Sequence, residues 1–275
     1  MLIIIYSNCQ FDGIKPNLKK NVSNIEIYAM ENFAYIRKRH ELPKKKLSKC
    51  DVFIYQPIRQ THGIYSTVND TQNIISYLPE KCLKIAFPYI YNSGIWGLTK
   101  DAIMNDDGTS QGNRESITHL KNKPLKTIID MYHNNKIDFN YNNRFTSSLN
   151  KLIERETICD VKISEFIKKN IKKHRLFFTQ NHPTPFIFTH ICKQILDLIK
   201  EKFPEHIINS KYIYVNHNSL CRGPKWPISN SDIEHWKFEY ISKAENDADQ
   251  YYIELITRYF NHTRRHNEGI PDVYY

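Results

Sequence analysis

The chain has 275 residues, 40% of them hydrophobic and 13% aromatic, with a formal net charge of +10. That length and apolar content support a sizeable packed core and exclude a disordered or collagen-like chain. No apolar run approaches the roughly 20 residues that cross a bilayer, so no membrane span is expected.

The first apolar run, Leu2–Tyr6, begins directly after Met1. It lacks the basic region and small-residue cleavage site of a secretory signal, so it reads as a core strand in a cytoplasmic protein. Asn24–Tyr28, Asp51–Tyr55 and Leu83–Tyr89 repeat the pattern of short apolar runs bounded by Asn, Lys, Pro and Gly. Such runs predict strands buried in a parallel sheet. Gly13 and Pro16 predict a short or irregular first crossover, whereas Asn69–Leu78 carries helical potential.

Asn92–Arg114, with four glycines among polar residues, reads as a long loop of the kind that borders a site. Helices are predicted over Pro124–His133 and Phe145–Thr157, and from a cap at Asp160 to about Lys173. A strand at Arg175–Thr179 is expected to re-enter the sheet, followed by a helix opened by Thr184-Pro185 and running through Ile199. Lys211–Val215 is a further candidate strand, Gly223–Ser231 a loop and Asp247–Phe260 a final helix. The expected architecture is a three-layer α/β domain over residues 1–275 with a parallel-sheet core and a mainly helical insertion at about 115–174.

Six cysteines without CxxC spacing read as free thiols, with neither a disulfide framework nor a metal site. The positive charge calls for an anionic partner but does not by itself separate nucleic acid, anionic glycan and phosphorylated cofactor. Part of the lysine excess also fits an AT-rich coding sequence.

In an open α/β sheet the binding crevice lies beyond the carboxyl ends of the strands. Asn8, Cys9 and Gln10 follow the first strand and have that address. A thiol there is open to activation by turn N–H groups and an imidazole, or it is simply a small buried hydrophobe. His182, in Gln180-Asn181-His182-Pro183, stands at a second strand end as a candidate general base, or as a helix-entry residue that satisfies backbone groups. Gln56-Pro57-Ile58-Arg59 follows the third strand. Gln56 is a candidate oxyanion donor and Arg59 a phosphate ligand, with Tyr65 nearby; the alternative is an ordinary strand-ending turn. The fourth strand ends in a polar tail reaching Asn92.

Ser7-Asn8-Cys9-Gln10, Gln56-Pro57-Ile58, Phe87-Pro88-Tyr89-Ile90-Tyr91 and Asn181-His182-Pro183-Thr184, in that order, resemble the WcbI-type polysaccharide-biosynthesis acetyltransferases. The resemblance implies a fold like the SGNH hydrolases, coenzyme A binding, and acetyl transfer from acetyl-CoA to a sugar, nucleotide-sugar or glycan acceptor, without a metal. On it, Cys9, His182, Asn8 and Gln56 are catalytic candidates. Gln10, Arg59, Tyr65, Asn92 and Asn181 are candidates for holding the cofactor. Ser7 stands where the family has Gly, and Thr179 where the hydrolases place an Asp, so a Cys–His pair is expected and not a triad. Two other readings stay open: a thiol esterase or deacylase, and a non-catalytic basic module binding glycan or nucleic acid.

Overall fold

A computed structural model describes residues 1–68, 72–98, 117–208, 211–217 and 219–267, with 262–267 as backbone. Its contacts divide the chain into two compact units. The first comprises Met1–Tyr91, Lys151–Lys169 and Leu176–Pro224, and the second Asn92–Asn150, Asn170–Arg175 and Lys225–Tyr275.

The first unit is built on four parallel strands, β1 (Leu2–Ser7), β2 (Glu26–Glu31), β3 (Val52–Tyr55) and β4 (Leu83–Ala86), in the order β2-β1-β3-β4. Register is set by pairs such as Ile4 with Tyr28, Ile5 with Ile54 and Ile54 with Ile85. Alternate side chains face opposite layers. Ile4, Tyr6 and Phe53 pack with Met30, Leu42, Leu47, Ile74 and Ile75. The intervening Ile3, Ile5, Val52 and Ile54 are fully buried as well. Because both faces are covered there, the central strands β1 and β3 read as continuous apolar runs, as expected from the sequence, whereas the outer β2 and β4 include the exposed Glu26, Glu31 and Lys84.

The crossover from β1 to β2 is a regular helix, α1 (Phe11–Asn21), with Pro16 inside it. This overturns the expectation of a short or irregular connection. Gly13 is required there for packing: a Cβ at that position would lie 2.3 Å from the Phe188 ring of the helix Pro185–Lys202. Two asparagines one turn apart on α1 take up backbone from far along the chain. Asn21 accepts from Ile213 N–H and donates to its carbonyl, each at 2.7 Å, and Asn17 accepts from Val215 N–H at 2.9 Å. Residues 211–215 therefore run beside a helix, and no strand forms there. Short helices α2 (Asn32–Lys38) and α3 (Lys44–Leu47) follow β2. The segment expected as a helix over Asn69–Leu78 is a single 3-10 turn, Ile74–Tyr77, capped by the Asn73 side chain; residues 69–71 lie outside the described set.

The strand expected to rejoin the sheet does not do so. β5 (Phe177–Thr179) pairs antiparallel with β6 (His182–Pro183) in a separate two-stranded ribbon. At the edge of β4 the groups of Ala86 are already engaged: Asp160 Oδ2 accepts its N–H at 2.7 Å, and its carbonyl accepts from Asp160 and Val161 N–H. Asp160 thus seals a sheet edge and caps no helix. Glu156 instead accepts from the N–H groups of Ile163 and Ser164 at 2.6 and 2.7 Å, at the start of Ser164–Asn170.

The second unit contains the helix Leu125–His133 (α4), most of the first turns of Tyr141–Glu156 (α5), then Asn230–Trp236 (α8) and Ala248–Asn267 (α9), where α6 is Ser164–Asn170 and α7 is Pro185–Lys202. Its centre is the buried Asp232 carboxylate, which accepts from Gly97 N–H, Tyr141 Oη, Tyr252 Oη and the Ser229 backbone and hydroxyl, at 2.7 to 3.0 Å. Helix α8, which falls partly in the expected loop, begins with that Ser229–Asp232 capping box. Asn92–Leu98 carries no helix or strand; the rest of the expected loop, residues 99–114, lies outside the described set. Among the described residues no helix is long and apolar enough to cross a membrane.

Gly13→Ala is expected to cost about 1–3 kcal/mol, through overpacking against Phe188. Urea unfolding checks this, and adding Phe188→Leu should recover part of the loss. An unchanged midpoint in the single variant would show that α1 and α7 are not packed as described.

Candidate active site

The carboxyl ends of β1, β3 and β4 and the turn between β5 and β6 are joined by side-chain amides. Asn8 follows β1, and its N–H donates to Gln56 Oε1, just past β3, at 3.0 Å. Gln56 Nε2 donates to Gln10 Oε1 at 2.9 Å. That same oxygen accepts from Ile90 N–H beyond β4 at 3.2 Å, and Gln10 Nε2 donates to the carbonyls of Ile90 (2.7 Å) and Asn181 (3.0 Å). Gln10 is fully buried and all four positions of its carboxamide are filled. Asn8 Oδ1 turns back to accept from Gln10 N–H at 3.1 Å. Its Nδ2 has no protein acceptor among the described residues.

Cys9 stands between two anchored residues, in the turn that opens α1; Asp12 N–H donates to its carbonyl at 3.1 Å. The thiol is free and half-buried. The turn was expected to favour thiolate, but its pKa is pushed up to about 11, by burial first and then by the carboxylates of Glu31 and Asp12. The opposing pull of a helix start is worth about 0.3–1 kcal/mol, less than one pKa unit, and burial outweighs it. The resting residue is a neutral thiol.

His182 begins β6, half-buried, directly after the Asn181 carbonyl that Gln10 holds. Beside it, a Cβ on Gly223 would lie 3.9 Å from Nδ1. Asn181 Oδ1 accepts from the Thr179 hydroxyl at 3.1 Å, which fixes the turn. Tyr65 donates to the His40 carbonyl at 2.9 Å, while its own carbonyl accepts from Tyr6. Arg59 is exposed. Asn92 lies in the second unit, where its Oδ1 accepts from Gly94 N–H at 2.9 Å. The amide network therefore brings Asn8, Gln10, Gln56 and Asn181 together with Cys9 between them.

Two residues near the thiol were not named as site candidates from the sequence, although Tyr89 lies in one of the quoted motifs. Tyr89 lies close enough to Cys9 for their charges to interact, and Arg155 stacks on the Tyr89 ring with its guanidinium carbon 5.3 Å from the centroid. Arg155 belongs to a helix 66 residues further on, and its spacing there carries no signal. Among the described residues no group of three or more His, Cys, Asp or Glu side chains is placed to hold a metal ion.

A parallel α/β sheet with a half-buried thiol at its carboxyl edge defines the class. The chain belongs to the WcbI family, whose model, described as "Polysaccharide biosynthesis enzyme WcbI", matches residues 2–201. It is also similar to a solved structure of WcbI at 15% identity and a TM-score of 0.58, over 94% of this chain and 90% of that one. That structure is described as a novel polysaccharide biosynthesis enzyme, in its native form without a disulfide bond between coenzyme A and one of its cysteines. No curated protein matches the chain.

A raised thiol pKa lowers the thiolate fraction at any given pH. Site-resolved alkylation of Cys9 by iodoacetamide should therefore keep rising about tenfold per pH unit from pH 8 to 10. Glu31→Gln should speed it about two- to threefold at pH 8 by removing a nearby negative charge. A rate that levels off below pH 9 would contradict the assignment.

Proposed function

We propose that this chain is a coenzyme A-dependent acetyltransferase that acetylates a sugar hydroxyl or amine in glycan assembly, with Cys9 and His182 as its reacting pair. The observation that carries this reading is the half-buried free thiol of Cys9, held at the β1 end by a buried amide network. Family membership supplies the polysaccharide context. The WcbI relative is described as native protein without a disulfide bond between coenzyme A and one of its cysteines, a description that pairs the cofactor with a cysteine and supports a thiol lying near the cofactor.

With a thiol pKa of about 11, about one Cys9 in ten thousand is ionised at pH 7, so attack needs a base. His182 takes the thiol proton as Sγ bonds to the acetyl carbon. The carbon–sulfur bond to coenzyme A then breaks, and the departing thiolate takes that proton. His182 next deprotonates the acceptor, whose oxygen or nitrogen displaces Cys9 and leaves it a thiol again. Asn8, the residue before Cys9, serves as the oxyanion donor through its Nδ2, while Gln10 and Gln56 position the turn. Thioesters on both sides make the first half nearly isoenergetic, which favours transfer over hydrolysis. The high thiol pKa also favours a second route, in which His182 activates the acceptor directly and neutral Cys9 lines the thioester pocket.

Intact mass spectrometry after incubation with acetyl-CoA separates them. The covalent route predicts one acetyl increment on the wild type, none on Cys9→Ala, and transfer to acceptor lowered about 10²–10⁴-fold in His182→Ala. Full transfer by Cys9→Ala would eliminate the covalent route, and wild-type protein that neither binds coenzyme A nor transfers acetyl would eliminate both.

A further inference from the structure

We propose that Arg155 and Arg59 form a recognition site for a diphosphate ester at the β3–β4 end of the first unit, with the Tyr89 ring as its floor. Tyr55 and Ala86 are paired neighbours at the ends of β3 and β4. Arg59 follows the first by four residues and Tyr89 follows the second by three, so both loops leave the same edge. Arg155 Nη1 donates to the Tyr89 carbonyl at 3.2 Å, and its guanidinium lies over the Tyr89 ring. Those two contacts fix its plane. No carboxylate lies within ion-pair reach of Arg155 or Arg59 among the described residues, although Glu154 adds a more distant negative charge.

The Tyr89 ring is itself steadied. Tyr91, 6.2 Å away between centroids, donates to Gln180 at 3.0 Å. Burial draws the Arg155 pKa down, Tyr89 and Glu154 pull it back up, and the positive charge of Arg59 adds a smaller downward pull. Two neighbouring guanidiniums with no carboxylate in ion-pair reach among the described residues suit a polyanion, and a planar fork matches phosphate oxygens in pairs. Tyr89, whose neighbour Ile90 is held by Gln10, connects this cationic patch to the Cys9 turn. A diphosphate there has two sources, coenzyme A or a nucleotide-diphosphate sugar acceptor. The first rests on the coenzyme A reading given above, and the recognition chemistry is the same for both.

Calorimetric titration of the full chain with ADP, pantetheine, coenzyme A and UDP-glucose tests the site. ADP should bind the wild type. Arg59→Gln, which removes an exposed side chain, and Arg155→Met should each weaken it about tenfold or more, with Arg155→Lys between, since an ammonium lacks the planar fork. Pantetheine, which has no diphosphate, should bind all variants alike. A parallel loss for coenzyme A alone assigns the site to the cofactor, and for UDP-glucose alone to the acceptor. Wild type that binds neither coenzyme A nor pantetheine, while ADP still depends on both arginines, would remove the coenzyme A reading and leave the diphosphate site standing. ADP that fails to bind, or binds the arginine variants as tightly as the wild type, overturns the proposal. So does an equal loss of pantetheine.

Discussion

The Gln10 carboxamide is the interaction on which the site depends. Among the described residues it is the one side chain that hydrogen-bonds to the loop after β3 through Gln56, the loop after β4 through Ile90, and the β5–β6 turn through Asn181. A neutral hydrogen bond contributes only about 0.5–1.5 kcal/mol net, but a buried group left unpaired costs about 1–3 kcal/mol. The asymmetry is what makes the network rigid, because no member can move without stranding another in a dry environment. Cys9 sits between Asn8 and Gln10 and inherits that rigidity, as does His182 next to Asn181.

The electrostatics divide the edge into two parts. Near Cys9, Glu31 and Asp12 add to burial and keep the thiol neutral. Near Tyr89, Arg155 and Arg59 hold positive charge with no carboxylate in ion-pair reach among the described residues. A neutral thiol is a poor spontaneous nucleophile and resists adventitious oxidation, so under the proposed function reaction waits for a base and a bound thioester. On that proposal, charge for recognition and neutrality for chemistry occupy adjacent stations.

Much of this was legible in the sequence, and the exceptions have physical causes. The central strands β1 and β3 were visible because a parallel strand buried on both faces must be apolar throughout, and the outer β2 and β4 because their apolar residues form short runs bounded by polar ones. Helix α1 was misjudged because Gly13 and Pro16 lower intrinsic propensity, whereas tertiary packing decides: the glycine admits the Phe188 ring. The strand over Arg175–Thr179 was read as part of the sheet because local pattern does not reveal that Asp160 already occupies the edge of β4. Asn8, Gln10 and Gln56 were found by address and amide chemistry, but their mutual bonds, 46 to 48 residues apart, were not. Arg155 gave no signal, since a single arginine in an amphipathic helix looks like a solvated face.

Amide hydrogen exchange in Gln10→Leu tests the central claim most directly. If one carboxamide joins the strand ends, protection should fall together at Asn8, Ile90 and the 180–182 turn, while amides in the middle of β1 and β3 keep theirs. Loss confined to one of those segments, or uniform loss through the sheet, would contradict it.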